Sequence, residues 1–227
     1  MEPEQIGANI ARWRQNLQEA SGHFGGVEIC AVTKTHSAAE VNCAAEFGIR
    51  AIGENRVQEL LGKLDALDDR FQIHLIGQLQ SNKVRSIIDK VCLIQSVDRF
   101  SLAAEISRQA EKRNLTMPVL IQVNLAKEPQ KGGVYEEALD ALIRSTAALP
   151  GVRIEGLMAV MPAVEDLEAI RPLFRRMRAL FEQYRDAAIS GTEFKTLSMG
   201  MSGDALMAAE EGATMVRLGS ALFGKRM

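Results

Sequence analysis

Short runs of β-branched and aliphatic residues alternate with segments of helical period along the whole chain, and the number of alternations limits the folds open to it. The runs lie at 27–33, 49–53, 72–77, 91–97, 119–124, 154–159, 196–199 and 214–218. Several, such as Val119-Leu120-Ile121-Gln122-Val123, are almost continuously apolar, as parallel strands covered on both faces must be. Eight strand–helix alternations predict an α/β protein: a single (β/α)8 TIM barrel over residues 1–227 with an additional N-terminal helix, and a ligand site at the C-terminal ends of the strands. An open doubly wound sheet shares the alternation, but the Gly-x-Gly-x-x-Gly fingerprint after the first strand is missing. At 227 residues and 47% apolar content the chain can bury one substantial core, and no low-complexity stretch reads as a linker.

The intervening segments have recognisable ends. In 38–47 the apolar set Val41, Ala44, Ala45 and Phe47 lies mostly on one face, Ser37 is placed to cap the start and Gly48 to end it. Ser202 and Gly212 frame 203–211 in the same way. Asp98 is placed to cap a helix that runs to 114, and 135–149 forms another before Pro150-Gly151. Pro172 either sits in the first turn of the helix ending near 187 or kinks it. The opening segment, 3–20, is amphipathic through Ile6, Ile10, Trp13 and Leu17; it packs on the outside of the barrel or closes its N-terminal end.

Lysine and arginine number 27 against 29 acidic residues, a formal net charge of -2, and no like-charge run stands out. A nucleic-acid or membrane-surface role resting on electrostatics is thereby disfavoured. Cys30, Cys43 and Cys92 are an odd number without Cys-x-x-Cys spacing. They read as reduced, buried thiols and not as a disulfide framework or zinc site. Glu2, Glu4, Arg12 and Arg14 stand where a secretory leader would be apolar, and no stretch is long enough to span a bilayer. A cytoplasmic protein is expected.

Two stretches near the C-terminus carry the chemistry. Leu197-Ser198-Met199-Gly200-Met201-Ser202-Gly203-Asp204 and Met215-Val216-Arg217-Leu218-Gly219-Ser220 each end an apolar run in glycine and hydroxyl residues just before a helical segment. Backbone N–H groups converge there with partial positive charge, which makes a phosphate cradle. Ser202 and Ser220 add hydroxyls, and Gly219 permits close approach; an ordinary turn is the plainer reading of each. Lys34 closes the first run. At the rim of an apolar interior its amine loses hydration, which favours the neutral form that attacks an aldehyde, although a solvated lysine at a strand end is the plainer reading. Together these positions suggest a phosphate-bearing aldehyde bonded to a lysine at one end and cradled at the other. Pyridoxal 5'-phosphate (PLP) fits that description.

Arg217, two residues before Gly219 and on the same face, lies one layer deeper, where a pyridine ring would be. Arginine does not give up its proton, so the ring nitrogen stays neutral and the ring is a weak electron sink. The alternative for Arg217 is a salt bridge to Glu155 or Glu54. His74 reads as a hydrogen-bonded core histidine, with proton transfer as the alternative. Gln78, Gln80, Ser81, Asn82 and Lys83 line the mouth or form a solvated connection. Met158, Met161, Met199 and Met201 either wall a pocket or fill the core.

Ala31-Val32-Thr33-Lys34, Gly53-Glu54-Asn55 with Val57-Gln58-Glu59, His74 with Ile76-Gly77-Gln78-Leu79-Gln80-Ser81-Asn82-Lys83, Gln122-Val123-Asn124, Gly156-Leu157-Met158 and the run 197–224 resemble the pyridoxal phosphate homeostasis protein family. The resemblance implies a barrel similar to the N-terminal domain of alanine racemase, with PLP as a Schiff base on Lys34. It also implies phosphate on Ser202, Gly219 and Ser220, the ring nitrogen facing Arg217, and Asn55, His74 and Met158 near the cofactor. A monomeric, non-catalytic carrier or regulator of PLP supply follows, with apo-enzymes or amino acids as recipients. Arg56, Ile73, Leu75 and Gln95 depart from the Tyr, Trp, Phe and His frequent in the family, which leaves the packing around His74 open.

Two other functions compete. An amino-acid racemase of this kind takes its second acid/base from another domain, and no such domain is expected after the eighth unit; His74 or a partner subunit would have to serve. A phosphosugar enzyme with Lys34 as an electrostatic group explains the cradle but not the resemblance.

Overall fold

The computed structural model describes residues 1–224; residues 225–227, the end of the span assigned to the barrel, lie outside the described residues. Eight strands, β1 (Glu28–Val32), β2 (Ala51–Glu54), β3 (Gln72–Leu75), β4 (Leu93–Val97), β5 (Met117–Val123), β6 (Val152–Ala159), β7 (Thr192–Met201) and β8 (Met215–Leu218), each pair with the next. β8 pairs in parallel with β1, so the sheet closes into the predicted barrel. Around it lie α1 (Pro3–Ser21), α2 (Ala38–Glu46), α3 (Val57–Lys63), α4 (Val84–Ile87), α5 (Phe100–Glu111), α6 (Glu136–Ala147), α7 (Arg171–Asp186), α8 (Ala205–Glu210) and the short α9 (Ser220–Phe223). No helix among the described residues is long and apolar enough to cross a membrane.

The helix ends follow local chemistry. Ser37 and Glu40 form a reciprocal capping box at the start of α2, worth roughly 1 kcal/mol, and Gly48 ends it at φ +78°. Pro172 sits in the first turn of α7, where its missing N–H costs nothing. α1 lies outside the barrel between α2 and α8, burying Ile6, Ile10 and Leu17. It fills the place in the outer ring that the short α9 leaves open.

Several expectations are corrected. α5 starts after Arg99 with no side-chain cap; Asp98 instead pairs with Arg99 and accepts a hydrogen bond from the Gly133 N–H. β7 begins four residues earlier and ends two later than its apolar run, because it pairs with β6 from Thr192 onward. Cys92 is exposed, not buried, since β4 begins one residue after it; Cys43 is half-buried and Cys30 buried. The apolar shell between strands and helices forms the main core. Inside the barrel, Cys30, Ala51 and Met215 make one apolar cluster and Leu93, Leu120 and Met158 another.

Candidate functional site

The first and last strands bring the candidate groups to one mouth. Cys30 pairs with Arg217 and Ala31 with Leu218, so by strand alternation Cys30 and Val32 share the interior face with Met215 and Arg217, and Lys34 and Gly219 follow just past the ends of these two adjacent strands. A side chain begun at Gly219 would stand 3.4 Å from the Val32 Cβ. Lys34, two residues beyond Val32, is half-buried and has no ion pair or hydrogen bond among the described residues. The turn that carries it is tied down from below. Buried Glu54 accepts from the Thr33 hydroxyl and pairs with Lys63 at 2.6 Å, while Lys63 Nζ also donates to the Thr33 carbonyl at 2.8 Å.

Ser202 faces β8. Its Oγ accepts from the N–H groups of Gly219 and Ala221, each at 3.4 Å, so hydroxyl and backbone donors gather at one point. This corrects its reading as a helix cap: α8 starts after Asp204 without a side-chain cap, and Asp204 Oδ1 accepts from the Met201 N–H at 2.6 Å. Burial pushes the Asp204 carboxyl above its usual range. Gly200, at φ +91°, makes the turn possible, and a Cβ there would lie 2.5 Å from that of Ala208. Ser220 is exposed at the first residue of α9.

Arg217 is buried, and it pairs with neither carboxylate proposed for it. Its Nη1 donates to the Ser198 carbonyl at 2.9 Å and to Ser198 Oγ at 2.7 Å, and its Nη2 to the Ala159 carbonyl at 2.7 Å. Glu54 is taken by Lys63, and Glu155 by Arg153 and Lys195. Burial without a carboxylate pulls the guanidinium below its usual range, yet donors remain unused on a group that has five. Asn55, at the end of β2, has a buried Oδ1 without a hydrogen-bond partner. It lines a hollow of about 290 Å³ with Arg56, Gln58, Gln78, Gln80 and Lys83, so the polar loop after β3 does border the mouth.

Met158 and His74 lie deeper. Met158 is buried against Leu93 and Leu120 inside the barrel. His74 is not brought to the mouth: it lines a hollow at the N-terminal ends of the strands with Glu28, Gln72 and Glu155. Its Nδ1 is 3.0 Å from Gln95 Nε2, and burial pulls the imidazole down to about 4. Gln95 and Lys63 were not singled out as site residues in the sequence. A glutamine inside the apolar strand Leu93-Ile94-Gln95 was the available signal, since a buried amide requires partners; nothing in the helical pattern of α3 marks Lys63.

Comparison with known proteins agrees with this fold. The family model described as alanine racemase, N-terminal domain, matches residues 8–227. The pyridoxal phosphate homeostasis protein of Aquifex aeolicus (strain VF5) is 42% identical over 222 residues, 96% of each chain. That of Pseudomonas aeruginosa is 39% identical over 224 residues, covering 98% of this chain and 95% of the relative. The structure of PipY from Synechococcus elongatus PCC7942 with PLP bound superposes with a TM-score of 0.85 at 34% identity, covering 96% of this chain and all of that one. By sequence and by architecture along nearly its whole length, the chain belongs to the pyridoxal phosphate homeostasis protein family.

Proposed function

We propose that this chain binds PLP between Lys34 and the Ser202–Gly219 cradle and serves as a carrier or regulator of the cofactor inside the cytoplasm, without catalytic turnover of its own. The observation that carries this reading is the pairing of β1 with β8, which makes the strand leading into Lys34 the neighbour of the strand leading into Gly219, whose N–H donates to Ser202 Oγ. When bound, the cofactor supplies an electrophilic aldehyde carbon at one end and a phosphate dianion at the other.

The residues present fit both ends. Lys34 has no competing carboxylate among the described residues and provides the amine. Ser202, Gly219 and Ser220 provide hydroxyl and backbone donors for the phosphate. Ser202 Oγ sits at 3.4 Å from two N–H groups, long contacts that an anion would replace with shorter, charge-assisted ones. Arg217 keeps donors for the neutral ring nitrogen, Asn55 offers a free carboxamide oxygen, and Met158 closes the floor from within the barrel.

The carrier reading is favoured over a racemase because His74, the proposed second acid/base, is buried below the mouth with its imidazole held neutral. The relative PipY was solved with and without PLP, consistent with reversible loading. Recipients are apo-enzymes or amino acids, and the protein works as a monomer. The test is borohydride reduction of PLP-incubated protein followed by peptide mass spectrometry. A pyridoxyl group on Lys34, absent from Lys34→Ala, is expected; no adduct on wild type, or an adduct on another lysine that survives Lys34→Ala, refutes the reading. Neither wild type nor variant should interconvert amino-acid enantiomers.

A further inference from the structure

We propose that Gln95 and His74 are positioning residues for the bound cofactor, acting on it from inside the barrel through Ser198 and Arg217. The inference rests on the PLP reading above, because Arg217 has a ring to face only when the cofactor occupies that mouth. Four buried side chains from four strands form one line. Arg217 Nη1 donates to Ser198 Oγ at 2.7 Å, Ser198 Oγ donates to Gln95 Oε1 at 2.7 Å, and Gln95 Nε2 meets His74 Nδ1 at 3.0 Å. None of the four is more than 4% exposed.

The line has a direction, and Arg217 sets it. A guanidinium only donates, so the Ser198 oxygen must accept from it and send its single proton onward to Gln95. Gln95 must then turn its carbonyl toward Ser198 and its amide toward His74. His74 must present a lone pair at Nδ1 and keep its proton on Nε2. No single link can reverse without leaving a buried donor against a donor, which is costly in this surrounding.

Glu155, the nearest charge acting on His74, is already shared by Arg153 and Lys195, so the line ends in a neutral ring. The other anchors of Arg217 are the carbonyls of Ser198 and Ala159. Backbone oxygens hold the cation in the barrel wall, and among the described residues the Ser198 hydroxyl is its one side-chain partner. Its rotation, and the donors it keeps for the ring nitrogen, therefore depend on where Gln95 holds that hydroxyl.

A double-mutant cycle tests this, read by the absorption spectrum of bound PLP and by its apparent Kd. Gln95→Met keeps the length but removes both ends of the amide, and it should weaken binding about tenfold and shift the spectrum in the direction of Arg217→Gln. In the Arg217→Gln background Gln95→Met should add little, because its route is gone. Gln95→Glu, whose carboxylate accepts from Ser198 and from His74 once the neutral ring moves its proton to Nδ1, should retain the wild-type spectrum.

Full additivity of the two substitutions, or a wild-type spectrum and Kd for Gln95→Met, overturns the proposal while leaving the PLP reading intact. If Gln95→Met fails to fold, Ser198→Ala and Gln95→Glu decide: a shifted spectrum for the first alone supports the line, and the same spectrum for both overturns it. Wild type that takes up no PLP defeats the underlying reading as well, a separate outcome from either.

Discussion

Lys63 and Glu54 show how a pair below the mouth can set the turn that carries Lys34, the proposed cofactor lysine. Glu54 is fully buried; one oxygen is shared by the Lys63 ammonium and the Thr33 hydroxyl and the other has no hydrogen-bond partner among the described residues, so Lys63 supplies the charge that offsets it. Removing one member of a buried pair leaves an uncompensated charge; Lys63→Met should cost about 3–5 kcal/mol in urea unfolding, and Glu54→Leu added to it should recover most of that. His74 gives a pH signature. Burial pulls its imidazole from 6.5 in the unfolded chain to about 4 when folded, so between those values unfolding takes up a proton and stability falls as pH falls. By pH 5 the loss should reach about 2 kcal/mol. His74→Asn should remove that component of the slope between pH 7 and 5; an unchanged slope would show that the acid sensitivity arises from the carboxylates alone.

The strands and helices were legible where one element explains its own pattern. β5 reads as a buried strand because its residues are apolar on both faces, and α2 reads as a helix because Ser37 and Glu40 satisfy each other locally. What escaped the sequence depends on a neighbour distant in the chain. The first half of β7 alternates exposed Glu193 and Lys195 with buried Phe194, and only its pairing with β6 makes it a strand. Ser202 looks like a cap because its partners, Gly219 and Ala221, lie 17 and 19 residues further on. Just before Ser202 stands the irregularity around Gly200, where the register of β7 against β8 shifts between Ser198 and Met201. Gly200→Ala would force a strained φ and a 2.5 Å approach to Ala208, so about 1–3 kcal/mol of stability should be lost. PLP affinity should fall with it, since Ser202 follows two residues after the displaced position, in the turn that leads into α8. An unaltered affinity measured by fluorescence quenching would separate the cradle from the bulge.

At the scale of the whole molecule the proposed ligand site straddles the seam where the barrel closes. β1 and β8 are the most distant strands in sequence, and their pairing exacts the largest loop-closure entropy of any in the sheet. α1 covers this seam from outside, where Asn9 donates to the Leu222 carbonyl at 3.0 Å. On the inside, a molecule bonded to Lys34 and cradled at Ser202 and Gly219 would join the first strand to the last two. Cofactor binding should therefore stabilise the fold more at this seam than elsewhere. At a PLP concentration about a hundred times Kd the gain by mass action is about 2.7 kcal/mol, which for a chain of this size raises Tm by about 5–10 °C. Hydrogen exchange should locate the effect: the β1 and β8 amides around Cys30 and Leu218 should slow most on binding, while those of β4 and β5, on the opposite wall, change least. Protection spread evenly around the barrel would mean that the ligand stabilises the fold without bridging the seam. Ser202→Ala should cut both the Tm shift and the seam protection, because one of the two tethers then loses a hydrogen bond to a charged group, worth about 1.5–3 kcal/mol.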